Sequence, residues 1–309
     1  MLRDRKFRDT LKNVTSGNVV FDEPMSRHTS MGVGGTADAL VSPGSVEELR
    51  QIIVCLKRFH IPFIPVGNGT NLIVKDGGYR GVIISMKGLR DITLTERSTE
   101  QISIYSGAGA ALSEIVLLAA EQSLTGMEFC AGIPGSIGGA VKMNAGAYGS
   151  EIRNIIETVE LMSNSEEIRK YKGNELNFEY RNLDLPADTM ITGASFLLTR
   201  ERKEQIQGRI SEIIGTRKSK HPLEYRSAGS IFKNPGRKDP AGKIIDEIGL
   251  KGTRIGGAKI SEKHGNFIIN VGDAKAADII ALIDLVQKKV KNERGIELET
   301  EVKVIGEDE

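Results

Sequence analysis

The feature that most constrains this chain is the glycine-crowded segment Gly132-Ile133-Pro134-Gly135-Ser136-Ile137-Gly138-Gly139-Ala140, followed shortly by Asn144-Ala145-Gly146-Ala147-Tyr148-Gly149. Glycine lets backbone N–H groups approach a ligand closely and reaches angles other residues avoid, but it weakens regular helices and strands. The 35 glycines cluster between apolar runs rather than recurring at a fixed period, which excludes a collagen-like chain or a solenoid. Such a chain carries loops built from backbone, either phosphate cradles or tight turns serving close packing. A second loop of this kind, Val66-Gly67-Asn68-Gly69-Thr70-Asn71-Leu72, follows an apolar run. Neither it nor Gly107-Ala108-Gly109-Ala110-Ala111-Leu112 completes a dinucleotide fingerprint, because leucine stands where the third glycine is needed. A Walker motif is absent as well, so spacing alone leaves function open.

Balanced charge, 42 Lys and Arg against 41 Asp and Glu, provides no overall field for nucleic acid or an anionic membrane, so an anionic ligand must be held locally. Cys55 and Cys130 lack CxxC spacing and cannot build a disulfide framework or a zinc site, which suits two core thiols in a reducing cytoplasm. The N-terminal stretch has no apolar segment fit for a signal peptide, and no apolar run of about 18 residues follows. A soluble cytosolic protein without membrane insertion is expected. The absence of HExxH, GxSxG and Cys-His pairings removes the metalloprotease and serine-hydrolase readings, and no metal site is expected.

Periodicity gives the organisation. Ser45 and Glu48 form a capping box ahead of an apolar face at Val46, Leu49, Ile52, Ile53 and Leu56, predicting a helix over about 46–59. Short β-rich runs at 63–66, 82–84 and 102–105 and a helix over about 110–123 follow, then mostly strands from 155 to 200. Near 205 the character changes: Ile206, Arg209, Ile210, Ile213 and Ile214 mark a helix ending in Arg217, Lys218 and Lys220 before Pro222. The remainder offers a strand at 267–271, a helix with Ile279, Leu282, Ile283, Val286 and Val290 on one face, and a strand at 302–305.

The blocks GNGTNLIV, AGIPGSIGGAVKMNAGAYG, YR, AGSIFKNP and LETEVKVIG occur in the order seen in UDP-N-acetylenolpyruvoylglucosamine reductases, and the resemblance covers almost the whole chain. It is closest to the subclass lacking a tyrosine-bearing insertion: between Arg181 and Ser230, strands, turns and the 206–216 helix use the available length. The resemblance implies an α+β fold. A two-lobed FAD-binding region of the vanillyl-alcohol oxidase type would occupy 1–204, with lobes about 1–84 and 85–204, followed by a smaller α+β substrate-binding domain over 205–309. It also implies non-covalent FAD, its pyrophosphate held by backbone amides of Gly67, Asn68, Gly69, Thr70 and Asn71 and of Gly132, Ile133, Pro134, Gly135, Ser136, Gly138, Gly139 and Ala140, with Asn144 and Gly146 nearby. Proline can contribute only its carbonyl and ring. Residues 29–35, Thr-Ser-Met-Gly-Val-Gly-Gly, resemble a further flavin-contacting stretch. Thr70 stands where the family usually has serine and keeps the hydroxyl, whereas Arg226 replaces a usual proline for no reason visible in the sequence.

The implied activity is NADPH-dependent reduction of a UDP-linked enolpyruvyl ether in peptidoglycan precursor synthesis. Hydride arrival at the carbon farthest from the carboxylate builds an enolate-like charge, which a fixed cation or acid beside that carboxylate stabilises. By resemblance Arg181 and Glu301 fill this role and Ser230 donates the proton, while Asn234 and Lys220 hold the substrate. Lys218 is an alternative to Lys220, and His264 and Asn266 are further lining candidates. Read from residue types alone, Arg181 could equally cap a turn, Glu301 lie on an exposed strand, and the basic run be a solvated helix end. Two other classes stay open: an oxidase on the same flavin scaffold, and a non-catalytic nucleotide-binding protein. The partners expected are the UDP-sugar and NADPH, with no nucleic acid and no obligate protein partner.

Overall fold

The computed structural model describes residues 5–16, 19–163, 167–186, 188–236 and 239–308. Helices among them are α1 (Arg5–Asn13), α2 (Val46–Arg58), α3 (Leu112–Glu121), α4 (Ile137–Lys142), α5 (Lys203–Lys220), α6 (Ala241–Glu247) and α7 (Ala276–Arg294). The chain divides into two compact units, one of Met1–Val20, Ala39–Asn68 and Gly81–Thr216, the other of Phe21–Asp38, Gly69–Arg80 and Arg217–Glu309.

In the first unit an antiparallel sheet runs in the order Ile168–Lys172, Ile156–Met162, Met190–Arg200, Gln101–Gly107, Ile92–Glu96, and Leu124–Thr125 pairs with the end of its long central strand. Val159, Ala194, Phe196 and Ile104 are fully buried in its middle strands. Phe63–Val66 pairs in parallel with the strand ending at Ser85. Helix α2 starts as its capping residues predict, with Ser45 Oγ accepting from Glu48 N at 3.1 Å. The reciprocal half of the box is shifted: the Glu48 carboxylate accepts from Gly44 N and from Ser16 N, both at 2.8 Å. Helix α3 is shorter than its apolar pattern suggests, because Ala111 is extended at φ −69°, ψ 133° and bridges to Ser136. In α5 only Ile206 is fully buried, and Arg209 ties the helix to Glu128 and Glu201, each at 2.7 Å.

The second unit holds an antiparallel sheet in the order Arg226–Ser230, Phe267–Asn270, Ala258–Ile260, Arg254–Ile255. Helix α7 buries Ala276, Ile279, Leu282, Ile283, Val286 and Val290, a stripe at three- and four-residue spacing that joins Ile260, Ile268, Ile245 and Phe232 in one core. Each large aliphatic chain in that stripe contributes about 1.5–3 kcal/mol on burial. The helix ends at Gly295, whose φ of 67° suits glycine. The terminal strand Lys303–Ile305 runs parallel to Leu72–Val74. Both cysteines are buried free thiols, and burial pushes the Cys130 thiol well up. No helix among the described residues is long and apolar enough to cross a membrane.

Candidate functional site

In the first unit the glycine-rich segment 132–140 becomes a turn running into α4. Ser136 caps that helix, its Oγ accepting from Gly139 N at 3.3 Å. The amides of Ile137 and Gly138 are spent on the carbonyls of Ala110 and Ala108, and that of Ala140 on Ser136. The N–H groups of Gly132, Gly135 and Ser136 donate to no acceptor among the described residues. Gly67 comes so close to Ser136 that a side chain there would meet the Ser136 hydroxyl, and a Cβ on Gly138 would lie 2.9 Å from that of Ala108. Undonated amides ahead of a helix, with glycine opposite, fit an anionic group such as a pyrophosphate.

Residues 142–146, just beyond that segment, position Arg181. Arg181 sits in the turn between Phe178–Glu179 and Asn182–Leu183, at φ 58°. Its Nη2 donates to Gly146 O at 2.9 Å, and its guanidinium lies 5.1 Å from the Tyr180 ring centroid. Lys142, on the last turn of α4, donates to Asn182 Oδ1 at 3.1 Å and to Leu183 O. Asn144 is fully buried; its side chain donates to Glu179 O at 2.9 Å and accepts from Arg153 N at 3.0 Å. Asn144 thus spends its amide on the protein's own backbone.

In the second unit Ser230, Asn234, His264 and Asn266 line one cleft of about 340 Å³ with Lys243, Lys251, Lys263 and Asp246. Gly229 reaches φ 72° just before Ser230, and the ladder to Phe267–Asn270 slips between Ser227 and Ser230. Asn234 Oδ1 accepts from Ala241 N at 3.0 Å, fixing the start of α6. Glu301 N donates to Ile231 O at 2.7 Å, which seats Glu301 beside the Ser230 strand. Its carbonyl accepts from Asn71 Nδ2 at 2.9 Å, and Lys303 N donates back to Asn71 O at 3.0 Å. Within the stretch 29–35, Ser30 Oγ donates to Ser227 O at 2.7 Å and Met31 O accepts from Asn270 Nδ2 at 3.0 Å. Arg226, unexplained in the sequence, lies over Gly32: a Cβ there would stand 2.8 Å from Arg226 Cδ.

Lys218 and Lys220 are exposed on the last turn of α5 and are not among the cleft's lining residues. The cationic lining comes instead from Lys243, Lys251 and Lys263, which sequence reasoning did not single out. Lys251 pairs with Asp246 at 2.5 Å, and Lys263 Nζ donates to the Lys218 carbonyl at 2.8 Å. No motif marks these lysines; only the folding of the second unit gathers them.

His221 was missed for the same reason. It packs against His264 and Phe267, at centroid distances of 5.4 and 5.0 Å, and its Nδ1 is buried with no hydrogen-bond partner among the described residues. Burial first, then the charges of Arg217, Lys263 and Lys220 together with His264, lower its pKa from 6.5 to about 4. A neutral folded-state imidazole that must charge on unfolding loses stability as pH falls from 6.5 toward 4, because the unfolded chain takes up the proton first. His221→Gln should flatten the pH dependence of the denaturation midpoint in that window. Parallel curves for variant and parent would contradict the assignment.

Two family models match: "FAD binding domain" over residues 37–172 and "UDP-N-acetylenolpyruvoylglucosamine reductase, C-terminal domain" over 221–305. A UDP-N-acetylenolpyruvoylglucosamine reductase from Syntrophus aciditrophicus is 51% identical over 308 residues, covering 100% of this chain and 98% of the relative. One from Caldanaerobacter subterraneus is 44% identical over 301 residues, covering 97% and 98%. The crystal structure of the reductase from Thermus caldophilus superposes with a TM-score of 0.78 at 36% identity, covering 93% of this chain and 97% of that one. The anticipated α+β fold, with an FAD-binding domain ahead of the reductase's own C-terminal domain, agrees with both family models and with the crystal structure. With full-length relatives at this identity and both domain models in order, the chain belongs to the UDP-N-acetylenolpyruvoylglucosamine reductase family.

Proposed function

We propose that this chain reduces UDP-N-acetylglucosamine enolpyruvate to UDP-N-acetylmuramate in the cytosol, using non-covalent FAD and NADPH. The observation that carries the reading is the cleft of the second unit, where Ser230, Asn234 and three lysines converge inside the segment matched by the reductase model. Such a lining suits a substrate bearing both a carboxylate and a diphosphate. We assign 1–204 to the FAD-binding region, of the vanillyl-alcohol oxidase type, and 205–309 to substrate binding, within the subclass that lacks the tyrosine-bearing insertion. The amides of Gly132, Gly135 and Ser136 would hold the pyrophosphate, with Gly67 allowing close approach. Hydride transfer between NADPH and the enol ether is the chemistry that bound FAD would supply.

The protein's own groups supply the rest. Arg181 keeps its charge at any working pH, and its planar guanidinium can grip the carboxylate whose neighbouring carbon gains electron density. Glu301 serves either protonated or by orienting another group, since an ionised carboxylate beside that charge would be unfavourable. Ser230 gives its hydroxyl proton to the carbon next to the carboxylate, a task for which a serine must be held in a shielded place. Asn234 and Lys220 hold the substrate.

The purified chain should be yellow, acid precipitation should leave a colourless pellet and FAD in the supernatant, and anaerobic NADPH consumption beyond about one equivalent per flavin should require the enol ether. A colourless protein would favour a plain nucleotide-binding protein, and oxygen-dependent turnover without NADPH an oxidase. Lys220→Ala should raise the KM for the UDP-sugar with little change in kcat, as when a contact is made equally in ground and transition states. The effect should shrink with added salt. An unchanged KM would eliminate Lys220 and shift the role to Lys218 or to the cleft's Lys263.

A further inference from the structure

Asn266 is 3% exposed, and every polar group it carries is engaged with residues around Ser230. Its Oδ1 accepts from Phe232 N at 2.9 Å and its Nδ2 donates to Phe232 O at 2.8 Å, so one side chain stands in for a whole strand partner. Its backbone carbonyl accepts from Ile231 N at 2.9 Å, and its N–H donates to His264 Nδ1 at 3.2 Å. The last bond makes Nδ1 the acceptor and puts the proton of a neutral His264 ring on Nε2. Burial favours that neutral form, lowering the His264 pKa.

The need for such a clamp follows from the ladder. Pairing between the Ser230 strand and its neighbour slips between Ser227 and Ser230, and Gly229 stands at φ 72° with open space where a Cβ would project. Ser230 is therefore preceded by a bulge and followed by Ile231 and Phe232, whose amides both go to Asn266. A bulge re-aims a side chain, but it holds the new aim only if the chain beyond it is fixed.

We infer that Asn266 is the positioning residue for Ser230, the clamp that keeps its hydroxyl aimed into the cleft it lines together with His264. The inference rests on the proton-donor role given to Ser230 above. Asn266→Asp preserves shape and the bond from Phe232 N but sets a carboxylate oxygen against Phe232 O, removing one arm of the clamp. It should mis-aim the serine.

The test uses FAD-loaded enzyme and follows the two half-reactions per bound flavin for the parent, Ser230→Ala, Asn266→Asp and the double variant. Asn266→Asp should be reduced by NADPH at the parent rate and reoxidised by the enol ether at least about tenfold more slowly, with a larger solvent deuterium isotope effect on that step. The double variant should be no slower than Ser230→Ala alone, because the clamp acts through the serine. Multiplying effects in the double variant, or a per-flavin rate that does not change in Asn266→Asp, would overturn the inference while leaving Ser230 in its role. Full reoxidation in Ser230→Ala would instead remove the proton-donor reading and the inference with it. Where Asn266→Asp does not accumulate as holoenzyme, Asn266→Ser, which also breaks the two-point contact, carries the same comparison.

Discussion

Ser230→Ala should be reduced by NADPH within about twofold of the parent rate, since hydride transfer to flavin draws no proton from that hydroxyl. Reoxidation by the enol ether should slow by about 10²–10⁴-fold, the usual range for removing a positioned proton donor. The structure supports a large effect. Ser230 lies after a bulge, beside Glu301 through the Glu301 N–Ile231 O bond, and ahead of the Asn266 contacts, so the backbone on either side is fixed. Stopped-flow traces of the two half-reactions check it. Equal losses in both would make the serine structural.

Arg181→Lys should cost about 10²–10³-fold in kcat, comparable to removing one preorganised donor from a developing anion, with a much smaller change in the KM for the UDP-sugar. The substitution keeps the positive charge and loses the planar fork. Arg181 is placed by several contacts: its own bond to Gly146 O, the Tyr180 ring beside it, and the Lys142 and Asn144 bonds that hold its turn. A lysine cannot reproduce the bond to Gly146 O and present two parallel donors at once. A kcat within twofold of the parent would show that charge alone suffices and that the guanidinium geometry is not used.

Local signals carried the regular elements. Ser45 and the apolar spacing after it define α2, and the Ile279-to-Val290 stripe defines α7, because those helices are set by residues within one or two turns. Helix α4 was not legible: Gly138 and Gly139 have poor helix propensity, and the helix exists because its start is docked on Ala108 and Ala110. The site was legible only as motifs. That Asn71 touches Glu301, that Ser30 touches Ser227 and that Asn266 clamps Phe232 are pairings of residues distant in sequence, which no short segment encodes. Lys251 and Lys263 were invisible for the same reason, lying outside any motif and reaching the cleft only through the fold. Arg226, a departure in the sequence, lies over Gly32, where a side chain would collide with it; nothing in the structure explains the arginine itself.

The central claim is that this chain passes electrons from NADPH to an enolpyruvyl UDP-sugar through bound flavin. It is tested most directly by sequential-mixing stopped-flow at the flavin absorbance under anaerobic conditions. NADPH should bleach the flavin, and UDP-N-acetylglucosamine enolpyruvate added next should restore the colour while UDP-N-acetylmuramate forms in equal amount to the flavin reoxidised. Flavin that stays bleached after the UDP-sugar is added would contradict the account.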